Sequence, residues 1–336
     1  MRLVCYCLSL DNKFYCGEKT VMADSAASAD ADWPATFADP ADQPVRYLER
    51  IREYYLALGY PTPYQWAHYR DVPFCKPAKS VRDARLAIVT TAAPYNPEAG
   101  DQGPEAPYNG AAKFFSVYAQ QADENVDLRV SHIAYDRKHS PATDMSSWFP
   151  QAALASLADS GQIGALNDRF FGFPTDRSHR VTLAVHCPAL LSLLVEDKID
   201  LCVLVANCPV CHQSMALAAR YLERAGIATV VLGCARDIVE YAGVPRLLFS
   251  DFPLGNAAGI PHHPASQRDT AAMAIDLLEN ATAARTTVQS PWHWSEDVDW
   301  KLDYSNAQRL SPAELARLRE EFDQQKKAAR EVSSRT

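Results

Sequence analysis

Short apolar runs alternate with amphipathic segments along the middle of the chain. Residues 200–206 are apolar at nearly every position, and residues 85–91 and 228–233 contain shorter apolar runs. Strands that are apolar on both faces are typical of a parallel sheet that helices cover on both sides. Residues 213–224 have helical spacing and stop before Gly226. The pattern predicts an α/β fold, with a mostly parallel sheet in Rossmann-like or flavodoxin-like layers.

Weaker signals of the same kind predict the other elements. Helices are expected at residues 47–58, 152–158, 188–195 and 237–242, and strands at residues 126–133, 182–185 and 247–250. A last helix, residues 311–330, is highly charged and opens with a capping box formed by Ser311 and Glu314. We expect this helix at the surface or in a subunit contact of a homo-oligomer.

Composition divides the chain into three parts. Residues 1–40 include an Ala/Asp/Ser-rich stretch and are predicted to be a disordered leader, with Met22 as an alternative start. Residues 41–284 are predicted to form the catalytic α/β domain. Residues 285–336 combine the charged helix with an aromatic loop that holds Trp292, Trp294 and Trp300. These tryptophans are expected to pack or to contact another subunit.

Charge and composition exclude several classes of protein. The net charge is −8 and the pI is near 5.6, which disfavours a nucleic-acid partner. No apolar run reaches the roughly eighteen residues that a membrane helix needs. Nine cysteines without a regular framework favour a reducing compartment, so a cytoplasmic location is predicted. No glycine-rich dinucleotide motif or phosphate loop indicates bound NAD, FAD or ATP.

Two cysteines lie where the predicted strand 200–206 turns into the next helix. The segment 207–212 is Asn-Cys-Pro-Val-Cys-His, so Cys208 is expected at the N-cap and Cys211 at the third helical position. Both sulfurs would then face the free N–H groups and the positive end of the helix dipole, which lower the pKa of a thiol. Because ligands bind beyond the carboxyl ends of parallel strands, this pair is the predicted active site.

Three other interpretations of these residues stay open. Cys208, Cys211 and His212 supply only three of the four ligands of a structural zinc site. A fourth could come from a neighbouring strand end: His186, Cys187 or Cys234. Cys-Pro-Val-Cys-His also matches the c-type haem attachment pattern, but that attachment needs export and a haem-binding fold. Two inert packing cysteines are the third alternative. No cofactor is firmly implied.

Five further polar residues at or just after predicted strand ends are candidates for substrate binding, together with one glycine in the following loop: Thr90, Thr91, His132, Asp136, Asp251 and Gly255. His132 could act as a general acid or base, or could hold a substrate carboxylate. The alternative is a histidine whose hydrogen bonds are satisfied at a strand edge. His212 could stabilise a thiolate or protonate a leaving group, or could be solvated helix surface.

Several motifs, in this order along residues 47–280, carry a resemblance to a known family. They include RLAIVTT at 85–91, LRVSHIAYDR at 128–137, GQIGAL at 161–166, NCPVCHQ at 207–213, LERAGI at 222–227 and DFPLG at 251–255. The chain resembles the glycine/sarcosine/betaine reductase component B (selenoprotein B) family and its D-proline reductase relatives. In that family one position of the cysteine motif is often selenocysteine. The resemblance places Cys208 at that position and Cys211 at the neighbouring cysteine, so this chain is a cysteine-only member.

The resemblance implies a reductase that works with partner proteins. In the family, a partner subunit's pyruvoyl group holds the substrate as an imine, and nothing in this chain supplies such a group. We predict an oxidoreductase for a small polar metabolite, amino-acid-like or heterocyclic, with Cys208 as attacking thiolate and Cys211 as resolving thiol. A partner reductase subunit or a thioredoxin-like donor would supply external thiols. The alternatives are a lyase or desulfhydrase that uses Cys208 to cleave a C–S or C–N bond, and a metal-binding or assembly protein.

Overall fold

The computed structural model describes residues 43–123 and 125–334 of the chain. Within residues 1–42 it describes only an antiparallel pair of two-residue strands, β1 (Ser9–Leu10) and β2 (Lys13–Phe14). The predicted disorder of residues 1–40 and the alternative start at Met22 otherwise lie outside the described residues.

A mostly parallel sheet forms the centre of the main part of the chain. The remaining strands are β3 (Arg85–Thr90), β4 (Ala93–Pro94), β5 (Tyr118–Gln121), β6 (Leu128–Arg129), β7 (Ala165–Leu166), β8 (Arg169–Gly172), β9 (Leu201–Val205), β10 (Ala228–Gly233), β11 (Arg246–Phe249) and β12 (Thr286–Gln289). The sheet order is β12-β11-β10-β9-β3-β8-β5, with β7 paired to β3, while β4 and β6 form a separate antiparallel pair. All pairs in the main sheet are parallel except β5 with β8. The predicted sheet is confirmed.

Two groups of helices flank this sheet. The helices are α1 (Tyr47–Ala57), α2 (Gln151–Asp159), α3 (His179–Val181), α4 (Cys187–Glu196), α5 (Pro209–Arg224), α6 (Arg236–Ala242), α7 (Pro264–Asn280), α8 (Trp300–Asp303) and α9 (Pro312–Ser333). Helix α5 packs against β9 and β10 beside α4 and α6, whereas α7 packs against β10 and β11 beside α2. Since every residue of β9 and β10 is buried, the predicted layered α/β fold is confirmed. Within the described residues, no helix has the length and hydropathy of a membrane span.

Strand β9 positions the predicted site. Its five residues, Leu-Cys-Val-Leu-Val, are all apolar and buried, and burying a Val or Leu side chain contributes roughly 1.5–3 kcal/mol relative to exposure. Val203 pairs with Ile88 on β3 and with Val230 on β10. Because only three residues separate the end of this central strand from the start of α5, the turn places Cys208 at the carboxyl edge of the sheet.

Two predicted strands are wrong in whole or in part. Residues Thr182–His186 form a π-helical turn between α3 and α4 instead of a strand. Pro188 follows this turn, and because proline has no N–H, the helical hydrogen-bond ladder must shift there. In the predicted strand 126–133, only Leu128–Arg129 is paired, and its partner is the two-residue strand Ala93–Pro94. Proline limits the length of that ladder for the same reason.

The C-terminal part of the chain agrees with its predicted local structure. Helix α9 has the predicted capping box, in which the Ser311 hydroxyl accepts the N–H of Glu314 and the Glu314 carboxylate accepts the N–H of Ser311. Trp292 donates its indole N–H to Asp269, and Trp294 packs against Phe252. Strand β12 extends the main sheet from within the predicted third part of the chain. The homo-oligomer and the cytoplasmic location stay predictions.

Candidate active site

Cys208 caps helix α5, as predicted from the sequence. Its backbone is extended, and Pro209 is the first helical residue. The Cys208 sulfur accepts the backbone N–H of Cys211 at 3.2 Å. The two sulfurs lie 2.7 Å apart, close enough to share a proton. The helix N-terminus therefore holds both cysteines as one unit.

The two thiols differ in protonation. Burial would raise the pKa of Cys211, but hydrogen bonds from Cys208, Thr175 and Thr91 outweigh it and lower the pKa to about 7. The Thr175 hydroxyl lies 3.1 Å from the Cys211 sulfur. Burial, followed by the hydrogen bond and charge of Cys211, raises the pKa of Cys208 well above its ordinary value. The pair thus titrates as one coupled unit, and the hydrogen bonds that reach Cys211 favour the negative charge on that sulfur.

We expect the ultraviolet absorbance of thiolate to show one cysteine titrating near pH 7, well below the value of about 8.5 for a free thiol. The variant Cys211→Ser should lose this transition, because it removes the sulfur that carries the charge. The matched variant Cys202→Ala changes a buried cysteine of β9 and should keep the transition. A wild-type curve whose first transition lies at the pH of an ordinary thiol would contradict the assignment.

Only one of the two sulfurs faces open space. Cys208 lines a cavity of about 570 Å³, while Cys211 is completely buried behind it. Helix α9 forms part of the cavity wall through Phe322 and Gln325. The Gln325 side chain accepts the N–H of Gly110 at 2.7 Å, which fixes α9 to the loop across the cavity. The charged helix that the sequence assigned to the surface thus also covers the site.

His212 holds the backbone of this site rather than its sulfurs. Its Nε2 accepts the N–H groups of Cys234 and Ala235 at 2.8 and 3.1 Å, so the proton lies on Nδ1, which donates to the carbonyl oxygen of Cys208 at 2.7 Å. A Cβ atom on Gly233 would lie 2.8 Å from the ring, so the ring fits because this residue is glycine. Burial lowers the pKa of His212 to about 4. Both ring nitrogens of His212 are therefore engaged, and neither is free to act as the predicted acid or metal ligand.

His132 lines the same cavity as Cys208. It is buried, and neither ring nitrogen makes a hydrogen bond of ordinary geometry. Burial and then the charge of Lys113 lower the pKa of His132 to about 3, against a smaller opposite effect of the Thr91 backbone. The ring is therefore neutral, and it can donate or accept a hydrogen bond but cannot serve as an acid near pH 7. Apart from this effect of the Thr91 backbone the ring has no polar partner, so a ligand in the cavity can form a hydrogen bond with it.

The other predicted residues do not line the cavity. Thr91 lies at the cysteine pair, where its hydroxyl accepts the Asn207 amide at 3.1 Å. The neighbouring Thr90 hydroxyl accepts the N–H of Ala92 at 3.1 Å. Two carboxylates are bound elsewhere: Asp136 by His139 at 3.1 Å and Asp251 by Lys301 at 2.6 Å. Gly255 packs against the ring of Tyr135.

Three residues of the site were missed by the sequence analysis: Lys113, Thr175 and Arg177. They come from loops outside the motifs that carry the resemblance. The one usable signal was the apolar run Phe-Phe-Gly-Phe at 170–173, which contains the end of β8 and leads directly to Thr175. Among the described residues, no cluster of three or more metal-ligating side chains occurs, so the zinc interpretation gains no support.

Comparison with known proteins finds relatives among reductase subunits. The chain is 27% identical over 222 residues to the D-proline reductase subunit gamma of Acetoanaerobium sticklandii, a match that covers 66% of this chain and 88% of that subunit. The predicted resemblance is confirmed. A second match, to the glycine reductase complex component B subunit gamma of Symbiobacterium thermophilum, has 23% identity over 236 residues. It covers 68% of this chain but only about half, 54%, of that relative. No family model and no solved structure matches the chain.

Proposed function

We propose that this chain is the cysteine-bearing subunit of a reductase for a small polar metabolite, amino-acid-like or heterocyclic. Both relatives are named as reductase subunits, and one as part of a complex, which supports a reductase-type role with partner subunits. The observation that carries the proposal is the cysteine pair: its sulfurs lie 2.7 Å apart, and one of them lines a cavity. Such a pair can give up two electrons by forming a disulfide.

Cys208 is the attacking sulfur, because a substrate in the cavity reaches it and not Cys211. In the first step the Cys211 thiolate takes the proton of Cys208 across their 2.7 Å contact. The Cys208 thiolate then attacks an electrophilic carbon next to a carbonyl group. A C–S bond to Cys208 forms, and the C–N or C–S bond to the leaving group breaks with its electron pair. The leaving group takes a proton from water.

Cys211 completes the reaction as the resolving thiol. Its sulfur attacks the Cys208 sulfur, and the bond between Cys208 and the substrate carbon breaks. The carbon receives that electron pair together with the proton of Cys211. The substrate carbon has then gained two electrons, and the cysteine pair has lost two as a disulfide. Thiols from a partner reductase subunit or a thioredoxin-like donor reduce the disulfide again. Of the residues predicted to bind substrate, His132 keeps that role because it lines the cavity.

The redox step can be tested without the substrate. Titration of the full chain in thiol/disulfide buffers, followed by alkylation and peptide mass spectrometry, should show reversible formation of a Cys208–Cys211 disulfide. Cys187 and Cys202 should remain thiols, because both are buried and burial raises the pKa of each. The variant Cys208→Ser should form no disulfide at Cys211. Persistence of both cysteines as thiols under oxidising buffers, or pairing of Cys208 with another cysteine, would refute the proposed couple.

A further inference from the structure

The cavity beside Cys208 is much larger than glycine or proline requires. Its volume is about 570 Å³. Cavities of about 300–1,000 Å³ typically bury ligands of drug size. The size alone therefore favours a substrate with more non-hydrogen atoms than a simple amino acid.

Aromatic side chains form much of the wall, among them Tyr54, Tyr55, Tyr60, Tyr64, Trp66 and Phe322. Two pairs of these rings pack edge to face. The ring centres of Tyr55 and Phe322 lie 5.3 Å apart, and those of Tyr64 and Trp66 lie 4.7 Å apart. Such walls present flat apolar surfaces that favour a ring or another planar group. The ligand is therefore expected to carry an apolar, flat part.

The same wall carries an excess of positive charge in a chain whose net charge is −8. Its charged residues are Lys113, Arg137, Arg177 and Lys326, against Glu321. Arg137 is engaged with carbonyl oxygens and Lys326 with Asp323. Lys113 lies over the ring of Phe115 at 4.9 Å, and Arg177 lies over the rings of Tyr55 and Phe322 at 5.9 and 5.3 Å. Among the ion pairs of the described residues, none joins Lys113 or Arg177 to a carboxylate, so an anionic ligand in the cavity can bind both.

Lys113 lines the same cavity as Cys208. Its charge acts on the pKa of His132, and the charges of Arg177, Cys208 and Cys211 act on its own pKa, which burial lowers. The carboxylate with most influence on Lys113, Asp176, already accepts the N–H of Ser178 and lies 3.6 Å from the ring of His186. The side chains of Lys113, Arg177 and His132 thus line the same cavity as Cys208.

We propose that the substrate is an organic carboxylate with a ring or similarly flat apolar group. Its carboxylate binds Lys113 and Arg177, its polar part accepts or donates a hydrogen bond at His132, and its ring lies against the aromatic wall. The inference names the substrate class of the proposed reductase and rests on that proposal for the place of the reacting carbon beside Cys208. The charge and the ring are separate features, and each can be removed in turn.

Calorimetry on the full reduced chain with three probes tests this class. The probes are 3-phenylpropionate, its uncharged analogue 3-phenylpropanamide, and propionate, which keeps the charge but lacks the ring. We expect 3-phenylpropionate to bind at least about tenfold more tightly than either of the others, since about 1.4 kcal/mol per lost feature corresponds to that factor. It should also slow the alkylation of Cys208 by iodoacetamide, measured by peptide mass spectrometry.

Lysine variants identify the anion site. Lys113→Met should weaken 3-phenylpropionate about tenfold or more and leave the weak binding of the amide unchanged. The control Lys76→Met removes an exposed lysine outside the cavity and should change the affinity for neither 3-phenylpropionate nor the amide. Circular dichroism of both variants shows that they are folded.

Equal affinities for 3-phenylpropionate and 3-phenylpropanamide would overturn the anion site. Equal affinities for 3-phenylpropionate and propionate would overturn the ring site. Absence of binding by all three probes would overturn the small-molecule assignment and favour a segment of a partner subunit as occupant of the cavity. None of these results affects formation of the Cys208–Cys211 disulfide, so failure here is distinguishable from failure of the proposed reductase function.

Discussion

Replacing Cys211 with serine is expected to stop product release and to leave a covalent adduct on Cys208. Phenacyl bromide is a suitable probe, because its reacting carbon lies next to a carbonyl group and carries a good leaving group. In the reduced wild-type protein Cys208 should displace bromide, and Cys211 should then attack the Cys208 sulfur. The products are acetophenone and the Cys208–Cys211 disulfide, so the substrate carbon gains the two electrons that the cysteines lose.

The cysteine variants separate the roles of the two sulfurs. Cys211→Ser should accumulate a phenacyl group on Cys208 and release essentially no acetophenone, because serine cannot attack the adduct sulfur. Cys208→Ser should give neither the adduct at this position nor the product. Cys202→Ala, a change at a buried cysteine remote from the cavity wall, should release product at the wild-type level.

Intact-mass and peptide measurements, with chromatography of acetophenone, follow the adduct, the disulfide and the product together. The experiment uses protein reduced beforehand and freed of external thiol, since free thiols consume the probe. Acetophenone release by Cys211→Ser at the wild-type rate would show that Cys211 does not resolve the adduct. A Cys208-only reaction of the lyase type would then explain the site better.

Replacing Glu223 with alanine is expected to lower the free energy of unfolding by about 3–5 kcal/mol, the typical cost of leaving one partner of a buried ion pair alone. The Glu223 carboxylate accepts the Arg246 guanidinium at 2.8 Å, the N–H of Cys75 at 2.6 Å and the N–H of Thr229 at 2.6 Å. Both charged side chains are completely buried. One carboxylate thus joins the end of α5, the start of β10, the start of β11 and the segment before β3.

Urea unfolding followed by circular dichroism measures this loss. Glu223→Gln keeps an oxygen that accepts the N–H groups but loses the charge, so its loss should be smaller than that of the alanine variant. Glu49→Ala removes one partner of an exposed pair with Arg46, and it should cost less than about 1 kcal/mol. Values for Glu223→Ala and Glu49→Ala that agree within error would show that the buried pair contributes no more than a surface pair. If Glu223→Ala does not fold, the comparison uses the other two variants. A larger loss of unfolding free energy for Glu223→Gln than for Glu49→Ala would still show that the buried pair contributes more than the surface pair.

Local sequence determined the part of the molecule that carries the cysteines. The apolar run 200–206, Pro209 and the helical spacing of 213–224 predict a strand, a capped helix start and a helix, and all three occur as predicted. The capping box of Ser311 and Glu314 is equally local. The helix and the caps could be predicted because their hydrogen bonds and side-chain periodicity involve residues a few positions apart. The strand could be predicted because an unbroken apolar run is typical of a strand that is buried on both faces.

Some local predictions failed where short stretches had no long-range context. The stretch 182–185 has strand-like composition, yet its position before Pro188 places it in a helix with a π-turn. In the stretch 126–133 only two residues pair with another strand, the two-residue strand Ala93–Pro94. A strand needs a neighbour with which to pair, and its own sequence does not specify that neighbour.

Only the tertiary structure decided the chemistry of the site. Thr175, which lowers the pKa of Cys211, is 36 residues away along the chain and arrives from the edge of β8. The sequence predicts Cys208 as the attacking thiolate, whereas the hydrogen bonds that reach the pair favour the negative charge on Cys211. His212 looked available in the sequence, but the backbone N–H groups after β10 occupy its ring. The cavity likewise joins Lys113, Arg177 and helix α9 from distant parts of the chain. Burial, electrostatic environment and enclosed volume depend on which distant segments of the chain contact each other. Local periodicity in the sequence does not specify those contacts.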